Sequence, residues 1–139
     1  RLFGFDPKVA FVSHSTFGQP LTSRTKHIRK AVDILKEKKV DFEFDGDMQP
    51  DVALNPEYEE LYPFSKIVGK ANILIMPGQH SAAISYKMMK TFGDTKVIGP
   101  LLIGLELPIE IAPLRSSTSE LINLASIAAY SADVIDYKK

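Results

Sequence analysis

The sequence predicts an α/β domain, a mostly parallel sheet with helices packed on it. Two short apolar runs of strand length, Lys8–Ser13 and Ala71–Met76, are each followed by a loop and then by a segment of helical periodicity. Strands separated by helices pair in parallel, because a parallel pair needs a crossover connection. The size agrees with one core, since 139 residues suffice for a single domain and are too few for two of ordinary size.

The first element, Lys8-Val9-Ala10-Phe11-Val12-Ser13, lies between Pro7 and a polar loop and reads as a buried strand. After His14-Ser15-Thr16-Phe17-Gly18-Gln19-Pro20, the residues Ile28, Ala31, Val32 and Leu35 recur at helical spacing and define one apolar face. Thr22 or Ser23 is placed to cap that helix. Its other face carries Arg24, Lys26, Arg29, Lys30, Lys36, Lys38 and Lys39 and reads as a solvated surface. Phe42-Glu43-Phe44 alternates as a second strand would, and Asp45-Gly46-Asp47 is expected to end it as a turn. From Pro50 to Phe64, prolines and acidic residues leave room for one weak helix between loops.

Ala71-Asn72-Ile73-Leu74-Ile75-Met76 is a continuous apolar run stopped by Pro77-Gly78, which places it at the centre of the sheet. Ala82, Ser85, Met89 and Phe92 share the face of a following helix that ends at Gly93. Val97 to Leu105 is interrupted by Gly99-Pro100 and Gly104, so a short strand with flanking turns is expected there. Ser117-Thr118-Ser119-Glu120 has capping-box spacing, and Leu121, Leu124, Ala125, Ala128 and Ala129 continue it as a long helix expected to be buried.

Composition excludes several function classes. Hydrophobic residues make up 45% and charged residues 24% of the chain, as in an ordinary globular fold. Seventeen basic residues balance seventeen acidic ones, so no net field draws nucleic acid or an anionic membrane. The absence of cysteine removes disulfides, a thiol nucleophile and the commonest zinc clusters, and fits a cytoplasmic setting. No apolar run approaches the roughly 20 residues of a transmembrane helix. Because the sequence begins with Arg1, it is expected to be a piece of a longer polypeptide.

Open parallel sheets bind ligands at the carboxyl ends of their strands, which directs attention to the loops after Val12, Met76 and Leu105. In the first, Ser13, Ser15 and Thr16 place three hydroxyls within four positions, followed by Gly18. Such a loop can offer hydroxyls and amides to a phosphate or carbonyl oxygen, or be an ordinary polar turn. Arg115-Ser116-Ser117 stands just before the last helix, where unpaired amides and the dipole favour an anion; an exposed arginine beside a capped helix is the plainer alternative. His14, His27 and His80 have no metal-binding spacing. Asp45, Asp47 and Asp51 lack the later glutamate of a calcium loop. No G-x-S-x-G elbow supports a serine hydrolase.

Over nearly its whole length the chain resembles the C-terminal half of the phosphate acetyltransferase family. Pro7–Gly18 is similar to that family's strand and serine/threonine loop, and Asp45–Leu54 to its acidic turn and helix start. The resemblance continues through Gly69–Pro77, Ile84-Ser85-Tyr86-Lys87 and Ile98–Leu105. It implies the phosphotransacetylase-like fold, of isocitrate/isopropylmalate dehydrogenase-like architecture. Phe17-Gly18 and Tyr62-Pro63-Phe64-Ser65 look more like the form of this module found in bacterial hybrid malic enzymes.

The departures from the family point the same way. The family's serine and arginine before the last helix fall on Pro113 and Leu114, with Arg115 one residue late and Glu120 at a family aspartate. Its aspartate and asparagine after the central strand fall on Gly78 and Ala83. Acyl transfer needs positioned donors, so activity is not expected. The resemblance therefore implies an acetyl-CoA-sensing, homodimerising regulatory domain, with malic enzyme domains upstream that hold NAD(P) and a divalent metal. Acyl-CoA recognition is expected between the loop containing Ser13, Ser15, Thr16 and Gly18 and the segment Arg115, Ser116 and Ser117. A divergent phosphate acetyltransferase, using Arg115 after local adjustment, and a dimerisation module without ligand are the competing readings.

Overall fold

The structure, a computed structural model, describes residues 3–93 and 96–136. Its elements run β1 (Lys8–Val12), α1 (Ser23–Glu37), β2 (Glu43–Met48), α2 (Pro50–Leu54), a 3₁₀ turn (Pro56–Glu60), β3 (Ile73–Ile75), α3 (Gln79–Phe92) and α4 (Thr118–Asp136). The strands form one parallel sheet in the order β2-β1-β3, as expected for the α/β class. By packing, the chain divides into two compact units, Arg1–Lys87 and Met88–Lys139.

In the first unit β1 is the central strand. Alternation sends Val9 and Phe11 to one face, where they meet Val32, Leu35 and Phe44, and Ala10 to the other, where it meets Met48, Ala53, Ile67 and Ala71. Burial on both faces explains the unbroken apolar run. The Ala71–Met76 run was expected at the centre, but only Ile73–Ile75 forms a strand, and among the described strands it lies at an edge. Ile73 and Ile75 are accordingly exposed. Asn72 fixes its register: its side-chain oxygen accepts from Lys8 N–H at 2.8 Å and its amide donates to Asp6 O at 2.7 Å.

Helix α1 begins where expected. Thr22 is its N-cap, accepting from Thr25 N–H at 3.3 Å while Thr25 Oγ1 accepts from Thr22 N–H at 2.8 Å. Val32 and Thr25 are buried, with Ile28 and Leu35 half-buried beside them. Ala31 is exposed, because the buried stripe is centred on Thr25, Ile28 and Val32 and Ala31 falls beyond its edge. All seven basic residues of the outer face are exposed.

The largest departure from the sequence reading is in β2. Asp45-Gly46-Asp47 is not a turn: Ala10 pairs with Asp45 and Phe11 with Gly46 inside the ladder. Hydrogen bonds allow the acid there, since Asp45 accepts from Lys66 N–H at 2.8 Å and from Gly46 N–H at 2.9 Å. Gly46 has φ +148, and a Cβ on it would lie 2.7 Å from both Cβ and O of Phe11, so only glycine lets the strands approach. Val12 pairs with Met48, which leaves Asp47 as the extra residue of a bulge. Pro50–Phe64 also differs, since Pro56 divides it into α2 and the 3₁₀ turn instead of one helix.

Helix α3 ends at Gly93, whose N–H donates to Met89 O at 3.0 Å. Ala82 and Ser85 are half-buried, whereas Met89 and Phe92 of the expected face are exposed.

In the second unit the strand expected at Val97–Leu105 is absent; residues 96–117 form neither strand nor helix. Gly99, Pro100 and Gly104 disfavour a ladder, and no described strand of this unit offers one. Helix α4 begins at the expected capping box but is not buried. Of its apolar residues Leu124 is buried, while Leu121, Ile122 and Tyr130 are exposed. Ile103, Leu107 and Leu114 are also exposed.

Candidate functional site

The β2 bulge positions the floor of the first candidate loop. It turns Asp47 beneath the segment that leaves β1, where both Asp47 and Ser15 are fully buried. Ser15 Oγ donates to Asp47 Oδ2, and Phe17 N–H donates to the Asp47 carbonyl at 2.6 Å. Asp47 Oδ1 has no hydrogen-bond partner. The loop closes on itself through Thr16 and Gln19, whose N–H groups donate to each other's carbonyls at 3.2 and 3.1 Å. Gln49 fastens it to β2, donating its N–H to Thr16 Oγ1 at 3.2 Å and its side-chain amide to His14 O at 2.9 Å.

The loop hydroxyls therefore have different roles. Ser15 and Thr16 face inward and hold the loop's shape, and Ser13, itself buried with its hydroxyl accepting from Ser15 N–H at 3.3 Å, lies at the wall of an open cleft. Phe17 has φ +48 and Gly18 φ +85, the reversal that returns the chain towards α1. A Cβ at Gly18 would collide with the Arg29 guanidinium, so glycine there also makes room for that side chain. The Phe17 ring stands 5.4 Å from Tyr62 and 4.8 Å from Phe64, centroid to centroid. Two segments singled out by resemblance, Phe17-Gly18 and Tyr62–Ser65, thus pack on each other.

The cleft next to Ser13 has a volume of about 750 Å³ and lies at the carboxyl ends of β1 and β3. The loops after Val12 and Met76 both line it, where the sheet topology places a ligand site. Arg24, His27 and His80 also line it, and sequence reasoning did not bring them together. Arg24 and His27 are neighbours on one face of α1, and the fold brings His80, at the start of α3, to the same cleft.

The second candidate segment belongs to the other unit. Ser116 N–H and Oγ–H donate to Pro113 O at 3.0 and 2.8 Å, a tight turn into α4. Ser117 is its cap: Oγ accepts from Glu120 N–H at 3.3 Å, while Ser117 N–H and Oγ–H donate to the Glu120 carboxylate at 2.8 and 3.0 Å. Lys90 donates to the same carboxylate. The Lys90 ammonium first, and the two Ser117 donors after it, hold the Glu120 pKa down to about 2. An internal carboxylate thus occupies part of the helix start that was read as an anion site. Arg115 is exposed and makes no ion pair among the described residues. The cavity beside Ser116 and Glu120 holds only about 10 Å³, room for no more than about one water.

Among the described residues no group of His, Asp and Glu is arranged to hold a metal ion, and no helix is long and apolar enough to cross a membrane.

The profile of the phosphate acetyl/butaryl transferase family matches residues 1–129. An NADP-dependent malic enzyme of Rhizobium meliloti (strain 1021) is 50% identical over 132 residues, which cover 95% of this chain and 17% of that protein. A phosphate acetyltransferase of Bacillus subtilis (strain 168) is 34% identical over 133 residues, 95% of this chain and 41% of its own length. The crystal structure of a phosphotransacetylase from Streptococcus pyogenes superposes with a TM-score of 0.86 at 34% identity, over 94% of this chain and 40% of that one. The chain thus spans about a sixth of the malic enzyme and two-fifths of the transferases it matches.

Proposed function

Because this chain belongs to the phosphate acetyl/butaryl transferase family, we propose that it acts as the acetyl-CoA-sensing regulatory and dimerisation domain of a malic enzyme. In this reading it carries no acyl-transfer activity of its own. The observation that carries the proposal is the state of Glu120, at the position where the family has an aspartate. Abstracting a proton from a thiol near neutral pH calls for a base whose pKa lies near the operating pH. A carboxylate held at about 2 by Lys90 and two Ser117 donors is far too weak a base. Around it, Pro113 and Leu114 stand in place of the family's serine and arginine and supply no side-chain donor.

The 50% identity to a malic enzyme, against 34% to a transferase, favours the regulatory form of the module. Acyl-CoA recognition is assigned to the first unit's loop of Ser13, Ser15, Thr16 and Gly18, with Ser15 and Thr16 acting through its shape, and, as a separate contact, to Arg115, Ser116 and Ser117 of the second unit. NAD(P) and a divalent metal belong to the other domains of the polypeptide. Dimerisation is supported by α4, whose Leu121, Ile122 and Tyr130 are left uncovered within the chain.

The test is malate oxidation by the natural-length protein, with and without acetyl-CoA. A response in the native protein that Arg115→Ala abolishes, with acetyl-CoA binding weakened by about 1–3 kcal/mol as for a charged hydrogen bond, is the expected result. Enzyme-dependent formation of acetyl phosphate from acetyl-CoA and phosphate would instead establish the divergent transferase.

A further inference from the structure

Charge that balances over the whole chain is sharply divided within its first unit. Between Arg24 and Lys39 seven basic residues stand with two acidic ones, and between Asp41 and Glu60 eight acidic residues stand with no basic one. The fold sends the two blocks to opposite faces of the sheet. Helix α1 covers the face of Val9 and Phe44 through Val32, whereas α2 covers the face of Ala10 through Ala53, and the 3₁₀ turn packs beside α2 on that side. Helix α1 and the 3₁₀ turn therefore cannot neutralise each other within one chain.

Each surface carries apolar groups among its charges. On α1, Lys26, Lys30, Ile34 and Lys38 follow one another at steps of four, which sets an exposed isoleucine in a row of ammonium groups. Of the two acids nearby, Asp33 is bonded to Lys36 at 2.9 Å and Glu37 lies at the helix end. On the opposite face an open groove of about 340 Å³ is walled by Glu59, Glu60, Tyr62, Pro63 and Val68, with no Lys or Arg among its lining residues. Glu57 and Glu60, three apart in the 3₁₀ turn, lie along one edge of it. Leu61 and Phe64 are exposed beside them. Glu59 is engaged by Gly69 N–H, whereas Glu57, Glu60, Lys26, Lys30 and Lys38 make no ion pair among the described residues.

We infer that this groove receives the outer row of α1 from a second copy of the chain, the lysines meeting the Glu57–Glu60 edge and Ile34 meeting the apolar wall. Charge complementarity selects the occupant: the row that matches the groove is on the chain's own surface, and the sheet keeps it out of reach of the groove in the same chain. Because the two surfaces differ, the contact is heterologous, and its repetition builds a ring or an open row of copies. It is separate from the α4 pairing of the proposed function and requires no acetyl-CoA. Exposed charges are screened beyond about 10 Å at 0.1 M salt, so this contact weakens with salt, as an apolar one does not.

Sedimentation velocity of the natural-length protein at tens of micromolar reads this contact directly. At about 0.05 M salt it should show larger species that dissociate at about 0.5 M, the association weakening by at least about tenfold. The variant Lys26→Glu, Lys30→Glu, Lys38→Glu and, separately, the variant Glu57→Lys, Glu60→Lys should each sediment at low salt as the native protein does at high salt. An equimolar mixture of the two variants should restore the large species, because both contacts between unlike copies are again complementary. Such mutual rescue also shows that neither variant lost association by unfolding. Species that do not respond to salt, a loss confined to one of the two variants, or a mixture that fails to reassemble would overturn the inference. The assembly that remains at high salt reports on α4, so the two interfaces are judged separately.

Discussion

Replacing Ser15 by alanine removes one hydroxyl, yet the structure makes this a severe change. Ser15 and Asp47 are both fully buried, and Asp47 Oδ1 already lacks a partner. The Ser15 hydroxyl donates to Oδ2, so Ser15→Ala leaves the buried carboxyl without a side-chain donor on either oxygen. Leaving a buried acceptor unsatisfied costs about 1–3 kcal/mol, and more for a charged group. The cavity adds little, because one oxygen is a small volume. We expect a loss of about 2–3 kcal/mol, read as a lower urea midpoint at constant slope by circular dichroism. A double-mutant cycle with Asp47→Asn should give a coupling energy of at least about 1 kcal/mol, since the pair is in direct contact. Stability of Ser15→Ala within about 0.5 kcal/mol of the native protein would refute the assignment of Ser15 and Asp47 as the pair that holds the loop.

Gly46→Ala should cost about 2–4 kcal/mol through its backbone conformation and the collision with Phe11, while Gly78→Ala, with nothing within 4 Å of its added Cβ, stays close to native in the same urea titration. Glu120 has its folded pKa lowered from 4.5 to about 2, so the stability it contributes is present above the ordinary carboxyl range and is lost as pH falls from about 4.5 towards 2. Helicity followed by circular dichroism should decline over that window in the native chain, and the share due to Glu120 should vanish in Glu120→Gln. A homodimer is expected by sedimentation at tens of micromolar, a range in which even modest specific interfaces persist; a monomer there would count against α4 as an interface.

The sheet was legible where burial leaves a pattern. β1 is apolar from Val9 to Val12 because both its faces are covered, and α1 and α4 announce their starts through Thr22 and Ser117. The misreadings share a cause. Asp45-Gly46-Asp47 has the composition of a turn, and nothing local reveals that Lys66 N–H and Ser15 Oγ donate to its carboxyls from distant positions. The Ala71–Met76 run is apolar, but its position at the sheet edge depends on which strands are present to pair with it. Val97–Leu105 and the faces of α4 are apolar without being covered in this chain, and hydrophobicity cannot say what covers them.

The site divides in the same way. Ser13, Ser15, Thr16 and Gly18 were visible as a loop after a strand, although which hydroxyl faces inward was decided by the bulge at Asp47. The meeting of Arg24 and His27 with His80 in one cleft was invisible to spacing, because two separate helices, α1 and α3, bring them there.

The central claim, that this module binds acetyl-CoA without turning it over, is tested by incubating the natural-length protein with acetyl-labelled acetyl-CoA and phosphate, then identifying the label in the bound and free fractions. The account predicts saturable binding with all label recovered as acetyl-CoA. Label appearing as acetyl phosphate, or no saturable binding at all, would contradict it.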